Sequence, residues 1–439
     1  MKSLIHFANR NHRRVRHHSH GVAIFLGIIS ACATLSASLA QAADWPQWLG
    51  PLRNNVSTET GLLKQWPAGG PPLAWKATGL GGGYSGVSVV GNRIYTMGDD
   101  TNACWIRALD TANGKVLWSA KIGQPGGNSG NAYPGPRCTP AVDGDQIIAL
   151  GQFGDLVCVD AATGKERWHH NLLSDFNGKM MSMWNYSESP LVDGDKVICT
   201  PGGSSGTMIA LNKKTGEVIW RSKDWPDNAS YASSVAAEIG GQRQYIQLTD
   251  ASVAGVAAAD GRLLWRAPRP GRTAVIPTPI VAGNLVYVTS GYNAGCNLFE
   301  VNADGTNFTA KPVYASKVMV NHHGGVVKVG DNLYGFSEGK GWTCQNFKTG
   351  EAVWQDKEKL GKGSVTCADG MLYLRTEGDK GAACTVVLLE ASPQGWTEKG
   401  RFDQPDRSGK NSWPHPVVAN GRLYLRDQDV LLSYDVKLK

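Results

Sequence analysis

Five stretches of this chain follow one pattern, in which a turn centred on Gly leads through a short strand to a Trp four residues later. They are Asp110-Thr111-Ala112-Asn113-Gly114-Lys115-Val116-Leu117-Trp118, Asp160 to Trp168, Asn212 to Trp220, a shorter copy from Asp260 to Trp265, and Asn346 to Trp354. Asp or Asn stands eight residues before the Trp in all but the fourth copy, where Ala257 stands. An Asp or Asn whose side chain caps its own turn, with Gly supplying positive φ, makes a tight hairpin. The alternating residues that follow form a strand, and the Trp ends it with a large amphipathic ring. Between copies lies a second signature of two apolar runs around a Gly turn, as in Thr139-Pro140-Ala141-Val142-Asp143-Gly144-Asp145-Gln146-Ile147-Ile148 and in Thr278 to Tyr287. Each unit therefore holds four strands, which is one blade of a β-propeller.

The Trp spacing counts the blades. Steps from Trp75 to Trp118, Trp168, Trp220 and Trp265 are 43, 50, 52 and 45 residues, and the 89 residues from Trp265 to Trp354 hold two blades. The degenerate blade between them ends near Val313-Tyr314, a seventh runs from Ser364 to Trp396–Phe402, and an eighth starts at His415 and ends near Tyr434, one strand short. Pro72-Leu73-Ala74-Trp75-Lys76 has the form of a fourth strand with no earlier strands before it. Pairing it with the last three closes the ring and hides both open edges. The expectation is an all-β, eight-bladed propeller over 73–436, with seven blades as the alternative count. A segment 44–72 precedes it and a leader covers 1–43.

Composition agrees. With 54 Gly and 21 Pro, punctuation interrupts every stretch long enough for a helical solenoid. The net charge of +7 is concentrated at the start, where Lys2, Arg10, Arg13, Arg14 and Arg16 precede any acidic residue; beyond them 39 basic residues face 37 acidic ones. No nucleic-acid partner is expected from so even a balance. The basic start, the apolar run Val22–Ile29 and the small-x-small site Ala40-Gln41-Ala42 read as a signal peptide, which places the protein in the periplasm or outside the cell. The alternative is a lipoprotein box at Ile29-Ser30-Ala31-Cys32, with membrane attachment only through Cys32. The eight later Cys are scattered over mostly apolar strand positions and read as buried small hydrophobes, although an exported chain permits disulfides.

The Asp-x-x-Thr-Gly-x-x-x-Trp pattern resembles the tryptophan-docking repeat of PQQ (pyrroloquinoline quinone) propellers. Those include PQQ-dependent alcohol dehydrogenases and BamB-type lipoproteins that support outer-membrane protein assembly. The opening Asp44-Trp45-Pro46-Gln47-Trp48-Leu49-Gly50-Pro51 and Glu59-Thr60-Gly61-Leu62 look like the start of secreted bacterial PQQ-repeat proteins. Trp75, Trp118, Trp168, Trp220, Trp265 and Trp354 are the docking residues the resemblance implies. In the dehydrogenases it further implies a quinone between a Trp floor and a ring formed by two adjacent cysteines, with calcium held by Glu, Asn and Asp. This chain has no adjacent Cys pair, is far shorter than those enzymes and lacks a CxxCH haem motif. No cofactor is expected, PQQ with calcium being the alternative, and no metal site.

The first strand of each blade lines a propeller's channel, so residues at the strand starts surround its mouth. They include Tyr84, Tyr133, Arg137, Trp184, Tyr186, Glu188, Tyr231, His322, His323, Trp413 and His415. Such a mixture suits a small polar ligand with flat faces, such as a sugar or quinone. The same aromatics also suit plugging the channel or packing between blades. Glu188 beside Arg137 is either an ion pair or, if desolvated, a general base; these two are the catalytic candidates. His322 and His323 are expected to face opposite sides, one to the channel and one between blades. The leading expectation is a non-catalytic binding or scaffold module of the cell envelope, with envelope proteins or a small polar or carbohydrate ligand as partner. A PQQ-dependent alcohol or sugar dehydrogenase is the alternative, and a polysaccharide hydrolase or lyase a third.

Overall fold

The computed structural model describes residues 43–126, 133–378 and 381–438. Residues 1–42 of the expected leader, with Cys32 and the expected cleavage site at Ala40-Gln41-Ala42, lie outside the described residues. Among those described, no helix is long and apolar enough to cross a membrane.

Eight sheets, each built on four antiparallel strands, form the blades of a propeller, the seventh carrying one further short strand. The first blade comprises Ser88–Val90, Arg93–Asp99, Cys104–Asp110 and Val116–Gly123, and the next six repeat that order. The eighth takes Val417–Ala419, Arg422–Asp427 and Val430–Asp435 from the C-terminal end and Leu73–Ala77 as its outer strand, with Trp75 paired to Ser433. The ring is thus closed by the strand around Trp75, with eight blades.

The recurring motif explains how blades adhere. Asp110, Asp160, Asn212 and Asn346 each cap the turn with a side-chain oxygen, and the Gly N–H bonds back to the same residue's carbonyl. That Gly carries positive φ and lies under the aromatic ring of the preceding blade. A Cβ at Gly114, Gly164, Gly216 or Gly261 would sit 2.3–3.0 Å from the indoles of Trp75, Trp118, Trp168 and Trp220. Gly is required there twice, by backbone conformation and by ring contact. The indole nitrogens of Trp75, Trp168, Trp220 and Trp354 donate to carbonyls of the next blade at 2.9–3.1 Å. Trp118 stacks over Gly164 with its nitrogen unpaired, and Trp265 turns its nitrogen to Gln244 of its own blade, the Gly305 of the hairpin beyond it lying clear of any ring.

Where Trp is missing, other rings serve. Tyr314 lies over Gly350 and its hydroxyl donates to the Phe347 carbonyl at 2.9 Å. In the seventh blade Gly400 stands at the Trp position, and Trp66 of the N-terminal segment fills the space, 2.6 Å from where a Gly400 Cβ would be. In the other blades the strand register shifts immediately before the docking ring, as at Trp118 and Trp168. Such a bulge re-aims the ring sideways and leaves the bulged residue outside. That accounts for the exposed Leu117, Ile219, Val313 and Val353.

The segment before the ring enters its channel. Trp45 bridges to Val89 of the first blade, the Pro46 carbonyl accepts from Val142 of the second, and Arg53 donates to the Ser189 and Pro190 carbonyls at the third. Val56–Ser57 then adds a short parallel strand to Gly363–Ala368 of the seventh. Leu49, Arg53 and Asn55 all have left-handed backbone, which persists only where the surroundings over-determine it. Residues 44–57 are therefore a tightly coiled plug.

Candidate functional site

Above the plug the mouth opens into a cup of about 290 Å³. All eight blades contribute, because each first strand begins at this face and each second strand ends there. Trp48 of the plug lies at the boundary between the cup and a small void beneath it that is lined by Trp45, Leu49, Asn55 and His415. The indole nitrogen of Trp48 donates to the Thr278 hydroxyl at 3.0 Å.

One wall is aromatic. Tyr84 and Trp413 stack with centroids 4.4 Å apart and planes 28° apart, Tyr133 tilts against Trp413 at 4.9 Å, and Trp184 follows Tyr133 at 5.7 Å. Arg137 lines the cup beside this wall, its guanidinium carbon 5.9 Å from the Tyr84 ring centre. Its Nη atoms donate to the carbonyls of Tyr133 at 2.6 Å and Trp184 at 3.1 Å.

The wall adjoining it at Trp413 is ionic. The Glu377 carboxylate accepts from His323 Nε2 at 2.8 Å and Trp413 Nε1 at 3.0 Å, and Lys362 Nζ lies 3.4 Å from it. Burial alone would raise this carboxyl, but the His323 hydrogen bond and the Lys362 and Trp413 contacts pull it down to about 2. His322 Nδ1 stands 3.1 Å from Lys362 Nζ and 3.1 Å from Glu338 Oε1. Burial, reinforced by His323 and Lys362, lowers the His322 imidazole to about 3, and burial likewise lowers His323, so both rings are neutral at physiological pH.

Of the residues expected at the mouth, Tyr84, Tyr133, Arg137, Trp184, Tyr231, His322, His323 and Trp413 line the cup. Three do not. Tyr186 is buried, its hydroxyl donating to the Pro201 carbonyl at 2.8 Å. Glu188 forms no pair with Arg137; its carboxylate accepts from the Thr200 N–H at 2.8 Å and hydroxyl at 3.0 Å. The reason is side-chain alternation: Ser187 and Ser189 face the cup, so Tyr186 and Glu188 face away. Burial raises Glu188 to about 7, but it is sealed from the cup. His415 lies beneath Trp48, bonded to Asn55 and to the His323 carbonyl. The expected opposition of His322 and His323 also fails. Both line the cup with ring centres 5.1 Å apart, because they lie in a bend before the strand, where alternation does not apply. Trp48, Lys362 and Glu377 were missed, the first in the plug, the others at the start of a first strand and the end of a second.

A family model described as Outer membrane protein assembly factor BamB matches residues 102–356. The chain belongs to that family. The BamB of Burkholderia pseudomallei is 28% identical over 257 residues, which are 57% of this chain and 60% of that protein. The dehydrogenase subunit of a quinone-type alcohol dehydrogenase from Gluconacetobacter polyoxogenes is 32% identical over 143 residues, 30% of this chain and 19% of that one. The matched stretches thus span less than two thirds of either relative. Among solved structures, BamB from Moraxella catarrhalis superposes with a TM-score of 0.56 at 16% identity, covering 80% of this chain and 96% of that one. The quinohemoprotein alcohol dehydrogenase of Comamonas testosteroni gives 0.60 at 14% identity, covering 90% and 81%. These likenesses establish the propeller fold of this BamB-family chain.

Proposed function

We propose that this BamB-family propeller is a non-catalytic binding and scaffold module of the cell envelope, which holds a small polar ligand in its cup. The observation that carries this reading is that the cup's carboxylate is held ionised and burial weakens both of its imidazoles as bases; His323 Nδ1 has no partner but is itself buried. Glu377 has four partners, His323, Trp413, Lys362 and Asn411, and is held ionised, while His322 and His323 are held neutral by burial. A general base needs a pKa near the working pH and a free lone pair facing substrate. The leader-like pattern of residues 1–43 and the family membership support an envelope location.

The cup does not fit a calcium-held quinone. Its one lining carboxylate is Glu377, with those four partners, and among the described residues no three His, Cys, Asp or Glu side chains converge as a metal site. Calcium takes six to eight oxygen ligands. The described cysteines are buried, unpaired and separate along the chain. The alignments to quinone-dependent dehydrogenases nonetheless favour a second reading, an alcohol or sugar dehydrogenase.

One experiment separates the two. The purified protein is incubated with PQQ and calcium and assayed with a redox dye over an alcohol and sugar panel, in parallel with a glycan-binding screen. We expect no turnover, and glycan binding that is lost in Trp413→Ala. Dye reduction that requires both PQQ and calcium sinks the non-catalytic reading.

A further inference from the structure

We infer that the cup recognises an acidic sugar, a pyranose carrying one carboxylate, with the carboxylate on Arg137 and the ring face on the Tyr84–Trp413 wall. The inference rests on the reading of the cup as a ligand site and deepens it. Its starting point is a cation with no carboxylate at ion-pair distance. Arg137 lines the cup, held by the Tyr133 and Trp184 carbonyls, and forms no ion pair with any described carboxylate. A guanidinium has five N–H donors, so two carbonyl bonds leave others to offer a ligand. Lys362 is matched by Glu377, and the two histidines are neutral. Of the two cations lining the cup, Arg137 is therefore the one with no described carboxylate within ion-pair distance.

A buried or half-buried cation without a counter-ion is costly, and an anionic ligand group offsets that cost. A planar guanidinium matches a carboxylate bidentately. A cationic ligand is disfavoured because Arg137 already occupies the cation site at Tyr84. The remainder of the lining describes the body of the ligand. The Tyr84, Trp413, Tyr133 and Trp184 rings form a continuous apolar surface for the C–H face of a sugar. Ser187, Ser233, Thr273 and Asn411 add hydroxyl and amide groups to the lining, which suit ring hydroxyls. A volume of about 290 Å³ lies at the small end for ligand pockets, the scale of one or two sugar rings.

The test is a titration of the full chain followed by tryptophan fluorescence and calorimetry. Probes are glucuronate, galacturonate and their short oligomers, glucose and galactose as neutral counterparts, and PQQ without calcium. Uronates are expected to bind at least about tenfold more tightly than neutral sugars, a preference that shrinks as salt rises. Arg137→Gln is expected to remove about tenfold of uronate affinity and leave neutral sugars unchanged, while Trp413→Ala weakens both. Arg137→Lys keeps the charge but not the fork and is expected to fall between; the salt dependence of the wild type needs no variant if either substitution unfolds.

Equal binding of charged and neutral sugars, or uronate binding indifferent to salt and to Arg137, overturns the acidic-sugar inference and leaves the ligand cup standing. PQQ binding that depends on Arg137, with no uronate binding, overturns the sugar and keeps the anion site. No binding of any probe overturns both this inference and the reading it rests on.

Discussion

The indole nitrogen of Trp48 donates to the Thr278 hydroxyl at 3.0 Å, fixing the plug to the approach of the fifth blade's first strand, 230 residues away in sequence. The bond fixes the ring that separates cup from lower void. Thr278→Val removes the acceptor and leaves a partly buried donor unpaired. We expect a loss of about 1 kcal/mol in urea unfolding. Trp48→Ala also removes the ring and merges the two cavities, so a larger loss of about 2–4 kcal/mol is expected, with weaker ligand binding. Equal stability of both variants and wild type refutes a load on this contact.

Docking gives a matched pair of glycines. Gly164 and Gly144 both have left-handed backbone, at φ of 74° and 59°, but a Cβ on Gly164 would lie 2.6 Å from the Trp118 ring whereas one on Gly144 meets nothing within 4 Å. Gly144→Ala therefore costs only the conformational strain, about 1 kcal/mol. Gly164→Ala must also displace an indole and is expected to cost about 2–4 kcal/mol. Paired urea melts of the two variants measure the difference; similar losses contradict the docking account.

The blades were legible because each carries its own turn and ring. The degenerate fifth blade could be located by Tyr314, a ring at the docking place, and the seventh by its strand pattern through Phe402 alone, since its docking position is Gly400. The plug was not legible, because residues 44–57 obey no period and are fixed by partners on six different blades. Trp66 was hidden for the same reason, with only Gly400 at a Trp position to hint at it. In the cup, strand starts located eight lining residues, and applying alternation from Ser187 would have removed Tyr186 and Glu188. Glu377 follows Thr376 at the end of a second strand, and reading those ends as well would have found it.

Glu188 makes stability depend on pH. Burial raises its folded pKa to about 7 from an ordinary 4.5, so the folded chain holds a proton there that the unfolded chain has released. This contribution is complete below pH 4.5 and is lost as pH rises through 7, a swing on the order of 3 kcal/mol. Glu188→Gln keeps acceptor and shape without the titration. Its unfolding free energy is expected to vary less than that of the wild type between pH 5 and 8, measured in urea at fixed salt. Parallel curves for the two proteins contradict the shift.

His415 acts in the opposite sense. Burial lowers it to about 4, with the His323 carbonyl opposing, so its contribution is complete above pH 6.5 and is lost as pH falls through 4. His415→Gln is expected to resist acid better than the wild type over that interval, whatever its stability at pH 8. Circular dichroism melts at pH 8 and 4.5 read the difference, and an unchanged acid loss refutes it.

Glu377 connects stability to recognition. Its folded pKa of about 2 lies below the ordinary 4.5, so its contribution is present above pH 4.5 and is lost as pH falls through 2. Glu377→Gln keeps an acceptor for His323 and Trp413 but leaves Lys362 without its carboxylate. We expect a loss of about 1–3 kcal/mol at pH 7 that nearly vanishes at pH 2. The same change leaves two cations lining the cup without a carboxylate at ion-pair distance instead of one. Uronate affinity is therefore expected to rise severalfold in Glu377→Gln while glucose affinity stays level. A stabilised variant, or one that gains no preference for the charged sugar, contradicts the charge balance assigned to the cup.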